Sequence, residues 1–248
     1  MKIVITMAGM GSRFKNIGIN IPKYKIIANK KTLFEWSMLS LSDFFKEEFI
    51  FVVRKEILDI KFLNAVCRKL GILNFDVKVL EKATDGQATT AYLADKFIDD
   101  DESCIVYNID TYVKPNEILM SQIKDEFDGF IPVIEAEGDR WSFVKVDETE
   151  KVIDVAEKVP ISNLATIGFY YFKKWKVYKQ IYEQNKNSII KDSKEVYIAP
   201  MYKQMINSEM NIGIKKLDAA SVKILGTPEE IEVFDPEYFA NNLNFNGQ

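Results

Sequence analysis

Ile3-Val4-Ile5-Thr6-Met7-Ala8-Gly9-Met10-Gly11-Ser12-Arg13-Phe14 runs from an apolar segment straight into a glycine turn, with Pro22-Lys23 close behind. Two glycines let the backbone pass near phosphate oxygens and offer them N–H donors, and Arg13 and Lys23 bring charge to offset a polyphosphate. The same glycines also serve as ordinary punctuation between a strand and a loop, and on these residues alone both readings stand. A dinucleotide fingerprint needs a third glycine three positions after the second, and Phe14 fills that place. No Lys-Ser or Lys-Thr pair follows the turn, so a Walker-type phosphate loop fails as well. What survives is nucleotide binding by another geometry.

Outward from this turn, apolar β-rich runs alternate with helical stretches, the pattern of βαβ units. Strands are expected at 2–8, 48–54, 76–81 and 103–109, and helices at 32–45, 56–70, 86–97 and 115–126. From 129 to 173 the pattern turns β-rich, with segments 129–136, 141–147, 152–157 and 165–172. Helices near 174–185 and 196–208, strands near 212–217 and 222–225, and a helical piece after Pro228 complete the chain. The expected fold class is α/β, a doubly wound, mostly parallel sheet with a β-rich acceptor lobe. No repeat or low-complexity linker divides it, so 1–248 reads as one domain with a nucleotide-binding half, 1–128, and an acceptor-binding half, 129–248. Ligands gather at the carboxyl ends of strands in such sheets.

Composition excludes several chemistries. The 248 residues contain no histidine, which removes imidazole bases, Ser-His triads and His-ligated zinc together. Nucleotidyl transfer to a phosphate tolerates that absence, because the attacking oxygen is already ionised and needs alignment and charge neutralisation. A net charge of −4 argues against a nucleic-acid partner. No apolar stretch approaches the roughly 20 residues of a membrane span. Cys67 and Cys104 lie in apolar runs without metal-site spacing and read as buried thiols in a reducing, cytoplasmic setting.

Three further positions carry chemistry. Asp110 ends the run Ile105-Val106-Tyr107-Asn108-Ile109-Asp110, where a carboxylate at a strand end can hold Mg²⁺ or cap the loop before Pro115. Gly86-Gln87-Ala88 opens a helical run, where glycine admits a base and glutamine pairs its edge; a cap by Asp85 is the plainer alternative. Lys158, after Glu157, is placed to neutralise an acceptor phosphate or to form a solvated pair.

Taken in order, MAGMGSRF with Pro22-Lys23, DGQATTA, NID ending in Asp110, WSFVKVD at 141–147, AEKVPISNLATIGFYYF at 156–172, EVYIAPMY at 195–202 and LGTPEEI at 225–231 resemble the nucleoside-triphosphate transferases that make activated sugars and related headgroups. The resemblance implies that Ala8, Gly9, Gly11 and Ser12 cradle the triphosphate and that Arg13 and Lys23 are the catalytic cations at the α-phosphate. It further implies that Gly86 and Gln87 take the base, that Asp110 ligates Mg²⁺, and that Lys158, Ser162, Asn163 and Gly168 form the acceptor side. Many relatives place a second metal-binding aspartate two residues before the glycine of their Gly-Thr-Pro segment; here that residue is Ile224, leaving Asp218 or Glu229 as substitutes, or phosphates and water alone.

The WSFVKVD and PISNLATIGFYYF blocks are most similar to a capsule-biosynthesis branch, the cytidylyltransferases of phosphoramidate assembly. That branch implies CTP and L-glutamine phosphate as substrates and a CDP-linked phosphoglutamine and pyrophosphate as products. A hexose-1-phosphate nucleotidyltransferase is the enzymatic alternative, with Trp141, Phe143, Tyr170 and Tyr171 either stacking on a sugar or filling the core. A nucleotide-binding regulatory subunit without turnover is the alternative from another class. Relatives are often dimers or larger, and the apolar stretch around 195–206 is a candidate face for a homo-oligomer.

Overall fold

Lys2–Thr6 forms a strand, β1, buried on both faces: Ile3 and Ile5 enter one apolar cluster and Val4 enters another. A strand of this kind belongs inside a parallel sheet covered on two sides. In this computed structural model, which describes residues 1–193 and 195–238, β1 is joined by β2 (Ile27–Ala28), β3 (Lys31–Thr32), β4 (Glu48–Arg54), β5 (Phe75–Leu80), β6 (Cys104–Asn108) and β7 (Thr111–Val113). The second half adds β8 (Gly129–Glu135), β9 (Ser142–Val146), β10 (Val152–Glu157), β11 (Leu164–Thr166), β12 (Phe169–Phe172), β13 (Ile212–Lys216) and β14 (Val222–Ile224). The helices are α1 (Ser12–Asn16), α2 (Leu33–Leu39), α3 (Ile60–Leu70), α4 (Gln87–Tyr92), α5 (Trp175–Ser193), α6 (Ala199–Asn207) and α7 (Pro228–Phe234). Residues 239–248, the end of the expected single domain, lie outside the described residues.

One ten-stranded mixed sheet runs β10-β9-β11-β8-β12-β6-β1-β4-β5, with β13 beside β8. β5, β4, β1 and β6 are mutually parallel, and β12 enters antiparallel between β6 and β8. The β-rich segments thus extend the same sheet that carries the glycine turn. Side chains of α4, α5 and α6 fill the cluster on one face, and those of α2 and α3 fill the other. The chain leaves β1 toward β4 and returns across it to β6, so the crevice between the carboxyl ends of β1 and β6 is a topological switch point.

Two expectations are corrected. Residues 115–126 do not form a helix: Asn116 has φ 69°, and only Met120–Gln122 makes a 3₁₀ turn. Side chains satisfy the N–H groups there, with Asp43 Oδ2 taking Met120 N and Gln122 Oε1 taking Leu119 N, while Ile118 is pinned in the core. The stretch around 195–206 is not an open apolar face, because Val196, Ile198, Ala199, Met201, Tyr202 and Met205 are buried against the sheet of their own chain. Smaller differences are of length: 32–45 divides into α2 and a 3₁₀ turn, as does 86–97 with α4, and α5 continues to Ser193.

Cys67 and Cys104 are free and buried, in the clusters on opposite faces, and burial pushes the Cys67 thiol up to about 12. Among the described residues no helix is long and apolar enough to cross a membrane. A third cluster joins Phe14 and Ile19 of the first loop to Leu225 and Ile231 near the other end of the chain. Phe14, which occupies the place of the missing third glycine, is therefore the apolar anchor that ties the glycine turn to α7.

Candidate active site

Parallel pairing aligns Thr6 with Val52 and with Asn108, so three strand ends open on one edge. From the first, the chain turns through Ala8 and Gly9 to Gly11, whose φ of 63° starts α1. A Cβ on Gly9 would meet nothing within 4 Å, so the backbone there borders open space. Ser12 and Arg13 are exposed on the first turn of α1. Pro22 leads into a short 3₁₀ turn that carries Lys23 back to the same edge.

Lys23 Nζ donates to Asp110 Oδ2 at 2.6 Å and to the Gly226 carbonyl at 3.0 Å, and Leu225 N donates to the Asp110 carbonyl at 2.7 Å. Side chains only 19% and 29% exposed make this pair less screened than a surface ion pair. The Gly226 turn is itself fixed by Glu230, whose Oε2 accepts from Gly226 N and Thr227 N at 2.9 and 3.0 Å. Its Oε1 receives Arg140 Nη1 at 2.8 Å from across the cleft. Its own backbone N–H and the Thr227 hydroxyl hold the Glu229 carboxyl below its ordinary range, and the Arg13 charge adds to this.

Gly86 and Gln87 stand on the neighbouring wall. Gly86 is the N-cap of α4 with no side-chain cap, because the Asp85 carboxylate is taken by the Thr89 hydroxyl and Lys186. Val196 N donates to Asp85 O and Ala88 N to Val196 O, both at 2.9 Å, so a Cβ on Gly86 would lie 2.4 Å from Val196 N. Gln87 Nε2 donates to Asn108 Oδ1 and, at 3.4 Å, to Thr6 Oγ1. Gly168, with φ 82°, lies so close to the Asn108 amide that a Cβ would come within 2.2 Å of it. Thr6, Gln87, Asn108 and Gly168 therefore form the floor of the crevice.

Lys158 follows the end of β10, at φ 55°, with its N–H on Trp141 O. Its Nζ donates to the Tyr197 hydroxyl at 2.7 Å and lies 4.6 Å over the Tyr197 ring. That bond raises the lysine above its usual range, which keeps it charged. Burial raises the neighbouring Glu157 carboxyl, which accepts from Ser142 Oγ. Ser162 and Asn163 are drawn elsewhere: Ser162 Oγ bridges Val144 O and Leu164 N, and the Asn163 carbonyl receives Ala136 N. Phe143, Tyr170 and Tyr171 are buried core residues, and only Trp141 of the four aromatics is partly open, beneath Arg140.

Sequence reasoning did not single out Arg54, Asn108, Arg140, Tyr197 or Glu230, which reach the site only through the fold. Neither proposed substitute for the second metal carboxylate stands beside Asp110. Asp218 caps the 3₁₀ turn before β14 through Ala220 N, Glu229 is exposed on the first turn of α7, and Ile224 pairs with Thr111. Among the described residues no three metal-ligating side chains gather. Asp110 with one nearby carbonyl fits a hard cation that keeps its waters and phosphate oxygens, and does not fit a metal that needs a full protein cage.

A family model described as "Nucleotidyl transferase" matches residues 2–213. A solved nucleoside-diphosphate-sugar pyrophosphorylase from Vibrio cholerae is 36% identical, with a TM-score of 0.86 over 94% of this chain and 98% of its own. An inositol-1-phosphate CTP transferase from T. maritima shares 18% identity at a TM-score of 0.74, over 97% and 95% of the two chains. A UTP-bound UGPase from Acinetobacter baumannii shares 16% at 0.73, over 99% and 97%. These last two share the fold. No curated protein sequence matches the chain.

Proposed function

The chain belongs to the nucleotidyl transferase family, and from that premise we propose that it transfers a cytidylyl group from CTP to L-glutamine phosphate, releasing pyrophosphate, as a cytoplasmic step of capsule modification. We propose likewise that the described chain works as one domain, residues 1–128 holding the donor and 129–238 the acceptor. The observation that carries the acceptor assignment is the wall around Lys158. The Lys158 ammonium is held by the Tyr197 hydroxyl, and the more distant charges of Glu157 and Glu195 add to what raises it. A phosphate suits Lys158, and an amino group on the same acceptor suits the acids, whereas a hexose 1-phosphate offers them only hydroxyls. With Phe143, Tyr170 and Tyr171 in the core, little ring surface is left for a sugar to stack on.

The chemistry then follows from the charges. Main-chain N–H groups of Ala8, Gly9, Gly11 and Ser12 hold the β- and γ-phosphates, while Gly86 and Gln87 receive the base. An acceptor phosphate oxygen, already ionised, forms a bond to the α-phosphorus as the bond to the bridging oxygen of pyrophosphate breaks. Lys23 and Arg13 stabilise the charge that builds there, and Lys158, with Gly168 assigned to the same acceptor side, aligns the attacking phosphate. Asp110 would hold Mg²⁺, which would supply charge neutralisation to the reacting phosphates.

Replacing Tyr197 with phenylalanine removes the bond that fixes and raises Lys158. The expected result is a three- to tenfold rise in acceptor KM, from about 0.5–1.5 kcal/mol per lost bond, with the CTP KM unchanged. Initial rates with each substrate varied in turn check this.

Pyrophosphate release measured with Mg²⁺, each of the four ribonucleoside triphosphates and dTTP against L-glutamine phosphate and a panel of hexose 1-phosphates, tests the assignment. Turnover confined to CTP and phosphoglutamine supports it. Turnover with a hexose 1-phosphate favours the second reading, to which the name of the Vibrio cholerae relative lends weight, and sinks the acceptor assignment. Silence with every pair leaves a nucleotide-binding regulatory subunit or an acceptor outside the panel.

A further inference from the structure

One buried charge has no part in the chemistry above. Arg54 closes β4 at its carboxyl end, directly after the buried run Phe49–Val53, and its side chain is only 3% exposed. A guanidinium at that depth is costly unless its donors are satisfied. Its Nε donates to the Ala8 carbonyl at 2.8 Å and its Nη2 to the Gly9 carbonyl at 3.2 Å, while Nη1 meets the Glu56 carboxylate. Two of its partners are thus successive carbonyls of the glycine turn.

In a planar trans peptide the C=O and the N–H of one unit point to opposite sides. Drawing the Ala8 and Gly9 carbonyls toward Arg54 therefore turns the N–H groups of Gly9 and Met10 the other way. A Cβ on Gly9 would meet nothing within 4 Å, so the turn borders open space there. Arg54, Gly9, Met10, Gly11 and Lys23 border one cavity of about 210 Å³.

We infer that Arg54 is a positioning residue of the donor site, one that sets the peptide planes of the glycine turn before the triphosphate arrives. The inference rests on the reading of that turn as the triphosphate cradle. Lysine is no substitute, because a point charge on a flexible stem cannot hold two carbonyls in one plane as the guanidinium fork does.

Arg54→Lys and Arg54→Met are compared with the wild-type chain by calorimetric titration with CTP, by initial rates against both substrates, and by thermal melting. In folded variants the CTP Kd and KM rise tenfold or more, the acceptor KM stays within twofold, and kcat at saturating CTP changes less than threefold. The milder Arg54→Lys decides the matter if Arg54→Met does not fold. A folded Arg54→Lys with wild-type CTP affinity, or with both KM values rising in parallel, overturns the inference, and so does failure of both variants to fold, which marks a purely structural arginine. Absence of binding of any triphosphate by the wild-type chain overturns the cradle reading itself, and is told apart by having no variant dependence.

Discussion

Asp110→Asn lowers turnover by about three orders of magnitude, or about 4 kcal/mol of transition-state stabilisation, with the chain still folded. The substitution keeps the shape of the side chain, so Lys23 retains an oxygen partner at this position as well as the Gly226 carbonyl. What it removes is the carboxylate that pairs with Lys23 at the proposed triphosphate cradle, in a site where among the described residues no three metal-ligating side chains gather. Glu230, the acid that fixes the Gly226 turn, already spends one oxygen on two backbone N–H groups and the other on Arg140. Pyrophosphate release at saturating substrate gives the turnover, and calorimetry with CTP gives the affinity. Loss of turnover with affinity kept within tenfold is the expected pattern. Turnover within tenfold of wild type would remove Asp110 from the mechanism.

Gly86→Ala strikes the backbone. The new methyl would lie 2.4 Å from Val196 N and 2.5 Å from Val196 O, atoms that cannot swing aside as a side chain can. Relief requires parting the segment from Val196, which breaks the hydrogen bonds from Val196 N to Asp85 O and from Ala88 N to Val196 O. Overpacking plus two lost bonds cost about 3 kcal/mol or more, which corresponds to a fall in Tm of about 6–12 °C for a chain of this size. Because Gln87 follows directly, the CTP KM rises as well. Gly9→Ala is the internal control: with no neighbour within 4 Å it leaves Tm almost unmoved. Equal melting of Gly86→Ala and wild type would mean that Val196 does not hold this segment.

The parts of this site that could be read from the sequence are those whose chemistry is local. Gly9 and Gly11 announce a backbone that must turn sharply, and Asp110 stands where an apolar run stops. These need only their neighbours in the chain to be noticed. Arg54, Tyr197 and Glu230 draw their roles from partners 46, 39 and 90 residues away, to Ala8, Lys158 and Arg140. A charged residue ending five consecutive apolar residues, as Arg54 does, was the one available signal, and it resembles an ordinary strand exit. The sheet itself was legible because Ile3-Val4-Ile5 and Phe49–Val53 are apolar on both faces. Residues 115–126 were misread because propensity favoured a helix while Asn116 in the left-handed region and side-chain bonds from Asp43 and Gln122 supplied another answer.

Lys23 reaches forward 203 residues to the Gly226 carbonyl, and Phe14 shares its apolar cluster with Leu225 and Ile231. A ribosome delivers these partners 203 residues apart. While the chain is being made, the glycine turn emerges well before them and waits, its lysine without the carbonyl that fixes it and its phenylalanine without cover, until Leu225 and Gly226 have been added. The parallel core strands can pair long before that. Chains that stop short of Leu225 therefore lack the carbonyl that holds Lys23 and the cover over Phe14, however many of the core strands have already paired.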